Sequence, residues 1–260
     1  MTNKRPAVAD LLSLDGSRVL VTGASGNIGR GIAHRLAEAR AEVVVHYCND
    51  FAGAARTVDE IVAAGGIASS AQADLRSEKD VRKLLAKAGQ DISCVVNNAA
   101  AQPVSDIRNI SGDEWRAVLA ANLDSAFFVT QAAAHHMREK QIAGAVVNIA
   151  SIEGSDPAIG HSHYATSKAG LLMLTRACAL EYGKDGIRFN AVSPGLIDRN
   201  GLADAWPDGV QRWLNNVPLG RMGTSTDVAD AVLYLLSPAS RWVSGTNLVV
   251  DGGMSSVSRW

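Results

Sequence analysis

Short β-branched runs alternate with longer stretches of helical periodicity along this chain. RVLVT at Arg18–Thr22 is brief and apolar; glycines follow it, and Gly29–Arg40 then takes up a helical pattern. EVVVH at Glu42–His46 predicts a second strand, and Phe51–Ala64 a helix stopped by Gly65 and Gly66. Ile67–Ala73 predicts a weaker strand, Ser77–Ala88 a charged amphipathic helix, and Cys94–Val96 with its flanks a fourth strand. A long helical stretch, Asp113–Lys140, precedes a strand at Ala145–Ile149. Ser162–Tyr182 then reads as helix, Ile187–Val192 as strand, Thr226–Leu236 as helix and Asn247–Val250 as a last short strand. Such alternation predicts βαβ units around one parallel sheet. The uniformly apolar VVV and AVV runs suit strands covered on both faces. The expected fold class is α/β: a doubly wound, seven-stranded parallel sheet with helices on both faces, in one domain spanning residues 1–260. Ser193–Thr224 breaks the pattern with three prolines and Trp206 and Trp213. A loop of this length in a compact domain predicts a substrate lid, at about 196–224. The two tryptophans either cover substrate or seat the lid on the body.

Composition narrows the class. Apolar residues make up 47% and charged residues 20% of 260, which excludes a disordered or low-complexity chain. Twenty-five basic against 26 acidic residues leave a net charge of −1, so no field favours nucleic acid or an anionic membrane. The three cysteines, Cys48, Cys94 and Cys178, are far apart and lack metal spacing, which predicts reduced thiols and a cytoplasmic protein. The start, MTNKRPAVADLLSLDG, is basic, but Asp10 and Asp15 interrupt its apolar stretch, so no secretory leader is expected. No continuous apolar run reaches membrane-spanning length.

Candidate chemistry begins at TGASGNIG, Thr22–Gly29, between a strand and a helix. Glycines there allow a tight turn and close backbone approach, and the helix start offers free N–H groups to a pyrophosphate. Further on, Tyr164 and Lys168 are four apart on a predicted helix and share one face. An ammonium beside a phenol favours tyrosinate. Ser151 follows the fifth strand, where ligands bind in open α/β sheets, although a helix cap or turn is its plainer role. Asn122 lies in the long helical stretch before that strand, where it also reads as a surface polar group.

In order and spacing, Asn122, Ser151, Tyr164 and Lys168 resemble the catalytic tetrad of the short-chain dehydrogenase/reductase family. TGASGNIG is similar to that family's TGxxxGxG turn, with Asn27 in place of the middle glycine; asparagine tolerates positive φ better than most residues. The resemblance covers almost the whole chain and implies a Rossmann-type fold. It assigns to the cofactor Gly23, Ser25, Asn27, Ile28 and Gly29 of the turn, Asp74 and Leu75 at the adenine, and Asn98 and Ala99 of an NNAG-like segment whose glycine is Ala100. Pro194, Gly195 and Ile197 line the nicotinamide, Tyr164 and Lys168 also touch the cofactor, and Val250–Gly253 matches the closing strand. Arg199 stands where a threonine often contacts the cofactor.

What the resemblance implies is hydride transfer between a nicotinamide and a carbonyl or secondary alcohol. Tyr164 acts as acid or base, Ser151 polarises the oxygen, Lys168 holds the ribose and Asn122 positions a relaying water. Tyr47 and Asn49 stand at the end of the second strand where an NAD-selecting acid is expected, and Asp50 caps the next helix instead. NADP(H) is therefore expected over NAD(H). Glu153, His161 and His163 flank the pocket; one or two of them read as contacts to substrate hydroxyls and the others as solvated, and no metal is expected. The substrate is a small molecule, and a sugar-like alcohol competes with a 3-oxoacyl thioester. A homotetramer is expected, with a dimer second. A cofactor sensor and a nucleotide-sugar epimerase or dehydratase are the rival functions, the first opposed by the presence of both Tyr164 and Lys168.

Overall fold

The computed structural model describes residues 6–89 and 91–257; the basic start of the chain and both ends of the expected 1–260 domain lie outside them. Among the described residues, seven strands run in the order β3-β2-β1-β4-β5-β6-β7. They are β1 (Arg18–Val21), β2 (Glu42–Tyr47), β3 (Ile67–Gln72), β4 (Ile92–Asn97), β5 (Ala145–Ile149), β6 (Arg188–Pro194) and β7 (Asn247–Val250). Every pairing is parallel. The order reverses between β1 and β4, which opens a crevice at their carboxyl ends.

Successive side chains of a strand point to opposite faces. Val19, Val21, Val43 and Val45 thus join one core, with Ile32 and Leu36 of α1 (Asn27–Glu38), Ile61 of α2 (Phe51–Ala63) and Val228 and Val232 of α9 (Ser225–Leu236). Leu20, Val44 and Val95 join the other, with Val81 and Leu84 of α3 (Glu78–Ala88), Val129 and Met137 of α5 (Ser125–Glu139) and Cys178 of α6 (Ser162–Tyr182). Both faces are covered, and the apolar runs follow from that. Each fully buried Leu, Ile or Val adds about 1.5–3 kcal/mol. β3, IASSAQ, is an edge strand with its side chains largely out of the core, which explains its weak sequence signal.

Two expectations need correcting. The stretch expected as one helix over Asp113–Lys140 is α4 (Gly112–Leu119), a π turn (Ala120–Asp124) and α5. By length and hydropathy Gly112–Glu139 would pass for a membrane span, but Val118, Ala126, Val129, Ala133 and Met137 are buried within the fold. The segment expected as a lid, at about 196–224, is not irregular either. It holds α7 (Leu202–Ala205) and α8 (Pro207–Asn216), closed at its base by a bridge between Ile197 and Gly223.

Candidate active site

The glycine turn leaves β1 with Gly23 at φ +61°, where an added Cβ would stand 2.9 Å from Ala99 Cα. Glycine is therefore dictated twice, by backbone angle and by the approach of the β4 end. Asn27 takes φ +49°, the left-handed region its side chain tolerates, so the substitution for glycine preserves the turn. Thr22 Oγ1 accepts from Asn98 N–H at 2.9 Å and Ala99 N–H at 3.0 Å, and Asn98 Nδ2 donates to Thr22 O and Gly23 O at 3.0 and 3.1 Å. Asn98 thus braces the turn. His46, which the sequence reading passed over, braces its other side: Gly23 N–H donates to His46 Nδ1 at 3.1 Å.

Helix α1 starts at this turn without a side-chain cap, whereas Asp50 and Ser77 cap α2 and α3. An uncapped start behind close-packed glycines fits a pyrophosphate. Asp50 accepts from Gly53 N–H at 2.9 Å, as expected of a cap. Tyr47 is buried with its ring edge-on to Phe51, while Asn49 is exposed. Arg76 grips Asp74 at 2.7–3.2 Å and holds its carboxyl below the usual range; Leu75 is buried beside it. Pro194 ends β6, and Gly195 N–H donates to Val250 O at 3.0 Å. Ile197 makes the bridge at the lid base, and Arg199 is exposed beyond it.

The four tetrad candidates arrive from β5, the π turn and α6. Asn122 sits in the π turn and is buried. Its Oδ1 accepts from Ala101 N–H at 2.7 Å, and its Nδ2 donates to Ala101 O at 2.9 Å and Ser167 Oγ at 3.0 Å. The surface-polar alternative therefore fails: Asn122 ties the segment after β4 to α6. Ser151 does cap a short 3₁₀ turn, accepting from Glu153 N–H at 3.1 Å. Its hydroxyl proton is left for another acceptor.

Lys168 Nζ is buried and donates to Ile149 O at 2.7 Å; it stands 5.5 Å from the centre of the Tyr164 ring. An ammonium carries three donors, and the surplus fits a ribose diol. The expected lowering of the tyrosine is not seen. Burial pushes the Tyr164 phenol up to about 12 against an opposing hydrogen bond from Ser151, with the Glu153 charge adding to the rise. Burial likewise pushes Lys168 down to about 8. At Tyr164 desolvation outweighs the one opposing contribution, the Ser151 hydrogen bond.

Glu153 and His161 meet over this group. His161 Nδ1 lies 2.9 and 3.1 Å from the two Glu153 carboxylate oxygens, and Gln102 Nε2 donates to Oε1 at 3.1 Å. The His161 ring lies edge-on to Tyr164 at 6.1 Å. Gln102 carried no sequence signal, since the β4 loop and the β5 loop meet only in the fold. His163 does not join them; its Nδ1 accepts from Tyr164 N–H. Trp213 settles against Gly195 while Trp206 is half-exposed under Arg212, so Trp213 seats the lid on the body. A separate cleft of about 630 Å³, lined by Pro218, Leu219 and Gly252 among others, contains none of the tetrad.

Known proteins share this sequence and fold. The family described as Enoyl-(Acyl carrier protein) reductase matches residues 23–255. Glucose 1-dehydrogenase 2 of Bacillus subtilis (strain 168) is 35% identical over 247 residues, 93% of this chain and 96% of that protein. A 3-oxoacyl-acyl-carrier-protein reductase of Chlamydia muridarum is 38% identical over 244 residues, 91% of this chain and 96% of that one. Among solved structures, a gluconate 5-dehydrogenase from Burkholderia cenocepacia J2315, in complex with NADP and tartrate, superposes with a TM-score of 0.90 at 31% identity, covering 97% of this chain and 100% of that one. The chain belongs to the short-chain dehydrogenase/reductase family, whose members are nicotinamide-dependent oxidoreductases that interconvert carbonyls and alcohols.

Proposed function

We propose that this enzyme interconverts a neutral sugar or related polyol and its carbonyl form with NADP(H), through Tyr164, Ser151, Lys168 and Asn122. The observation that carries the substrate class is the Glu153–His161–Gln102 cluster beside Tyr164 and Ser151. A carboxylate with two partners still has lone pairs for a substrate hydroxyl, and the same charge repels an anionic substrate. A fatty acyl chain gains nothing from such a wall. Arg138, a candidate contact for an acidic carrier protein, is paired with Asp185 at 3.1 Å.

The bound nicotinamide supplies or accepts the hydride. In reduction Tyr164 gives its proton to the carbonyl oxygen; in oxidation it takes the alcohol proton. Ser151, whose hydroxyl bonds to Tyr164 before substrate arrives, donates its proton to the same oxygen and holds charge that develops there. Lys168 orients the ribose hydroxyls. Asn122, through Ala101 and Ser167, positions the water that relays protons outward. The turn at Gly23, Ser25, Asn27, Ile28 and Gly29 takes the pyrophosphate, Asp74 and Leu75 border the adenine, and Asn98 and Ala99 shape the floor. Pro194, Gly195 and Ile197 flank the nicotinamide. NADP(H) is favoured because the β2 end offers Tyr47 and Asn49, while the nearby carboxylate of Asp50 is engaged in capping α2. A homotetramer is part of the proposal, supported by Phe127, Met173 and Leu180 exposed on α5 and α6 and read by light scattering.

A panel of neutral sugars, aldonates, simple secondary alcohols and 3-oxoacyl thioesters, followed at the nicotinamide absorbance with each cofactor, tests this. Neutral sugars with NADP(H) should give the highest kcat/KM. Tyr164→Phe should lower kcat by about 10²-fold or more while cofactor affinity persists. Glu153→Ala should lose about tenfold on sugars and little on simple alcohols. Best turnover with thioesters, or with NAD(H), overturns the corresponding part.

A further inference from the structure

Gly23 N–H, the first donor of the glycine turn, is not left to solvent or to a ligand. It points into the sheet and donates to Nδ1 of His46 at 3.1 Å. The imidazole is buried, and its other nitrogen, Nε2, lies 3.1 Å from Ala73 O. Chemistry fixes the tautomer. A carbonyl oxygen only accepts, so Nε2 carries the hydrogen; a backbone N–H only donates, so Nδ1 presents its lone pair. Only the neutral Nε2–H form satisfies both partners, and burial holds the ring below the ordinary histidine range, which favours that form.

The two partners belong to the two turns proposed to hold the cofactor. Gly23 opens the pyrophosphate turn, and Ala73 immediately precedes Asp74 and Leu75 at the adenine. The backbone adds two parallel links: Ala24 N–H donates to His46 O at 2.9 Å, and Ala73 N–H to Tyr47 O at 3.2 Å. The imidazole therefore spans from the phosphate turn to the adenine turn across the end of β2. From this geometry we infer that His46 is a positioning residue that sets dinucleotide affinity by holding those two turns in register. It touches no reacting atom, so it acts on cofactor binding and not on the chemical step. This rests on the proposed cofactor contacts at the Gly23 turn and Asp74.

The test reads cofactor Kd by nicotinamide fluorescence or calorimetry, together with kcat at saturating cofactor. His46→Leu keeps an apolar fill and removes both hydrogen bonds; Kd should weaken about tenfold, the scale of one or two backbone hydrogen bonds, with kcat changed less than about threefold. His46→Asn places an amide oxygen near the Nδ1 position, where it accepts from Gly23 N–H, and should recover Kd to within about threefold of wild type. Unchanged affinity in H46L, or equal losses in H46L and H46N, overturns the inference. Asn27→Asp separates this from failure of the site reading, because a carboxylate in the turn must weaken Kd if the turn holds a pyrophosphate. If N27D weakens binding and H46L does not, His46 alone is refuted; if N27D leaves Kd unchanged, the turn assignment falls. Should H46L not fold, long-range ¹H–¹⁵N spectra of the wild type decide: an Nε2–H tautomer at pH 7 supports the latch, and an Nδ1–H tautomer or an imidazolium overturns it.

Discussion

The Lys168 ammonium is buried, with Ile149 O as its one hydrogen-bond acceptor among the described residues and the Tyr164 ring 5.5 Å away, and that arrangement works against the fold. Its pKa near 8 lies below the ordinary 10.5 because burial disfavours the charged form. The sign follows from proton counting. Between about pH 8 and 10.5 the unfolded chain binds more protons at this side chain than the folded one, so its contribution to stability rises with pH there. Below that window the lysine is a standing cost, on the order of 1–3 kcal/mol. Lys168→Met should therefore raise the urea midpoint at pH 7, lose that advantage between pH 8 and 10.5, and abolish turnover. Denaturation of both forms at pH 7, 9 and 10 checks it, and a variant less stable at pH 7 would overturn it. The position of Tyr164 and Lys168 on one helix face was legible from spacing. The direction of the Tyr164 shift was not, because desolvation depends on the α6, β5 and loop atoms that cover the phenol. Asn27 was legible, since its tolerance of positive φ is local chemistry.

At the scale of elements, strands and helices whose signal is local were read correctly, and those that depend on tertiary partners were not. VVV in β2 and AVV in β5 announce strands covered on both faces. The π turn at Ala120–Asp124 has no periodicity of its own; it exists where Asn122 is drawn to Ala101 and Ser167. Helix α8 carries two local signals, Pro207 at its first position, which suits a helix start, and Val210, Trp213 and Leu214 at helical spacing; the prolines and glycines around it predict a loop. Helix α9 shows a start built from reciprocal bonds. Thr224 Oγ1 accepts from Asp227 N–H at 3.3 Å, Asp227 Oδ2 accepts from Thr224 N–H at 2.7 Å, and Arg221 grips both Asp227 oxygens at 2.8 Å. Arg221 first, then Thr224, holds the Asp227 carboxyl well below the usual range. A depressed carboxylate contributes stability that is present above its unfolded pKa of about 4 and is lost as pH falls through the folded value. Asp227→Asn should be less stable than wild type at pH 7, and the gap should shrink steadily below about pH 4. Thermal unfolding at pH 7, 4 and 3 reads the gap; one that stays constant with pH would assign it to shape instead of charge.

In the whole molecule, sheet, lid and closing strand converge on Gly195. A Cβ there would stand 2.6 Å from Cη2 of Trp213 and 2.8 Å from Cβ of Asp251. Neither neighbour yields cheaply. The indole N–H of Trp213 donates to Arg221 O at 3.4 Å, and the Asp251 carboxylate accepts from Gly253 and Ser255 N–H at 2.9 and 2.7 Å. Gly195→Ala must therefore lift the lid or bend the end of β6, an overpacking cost of about 1–3 kcal/mol. Both adjustments move the segment proposed to flank the nicotinamide, so the KM for substrate should rise together with the fall in melting temperature. Trp213→Leu removes the ring that the new methyl would strike. If the lid is seated on this glycine through Trp213, the double variant should be more stable than the sum of the single effects predicts, by at least about 0.5 kcal/mol. Strict additivity in that cycle would mean that the strain passes to Asp251 and β7 and that the lid rides free of the residue beneath it.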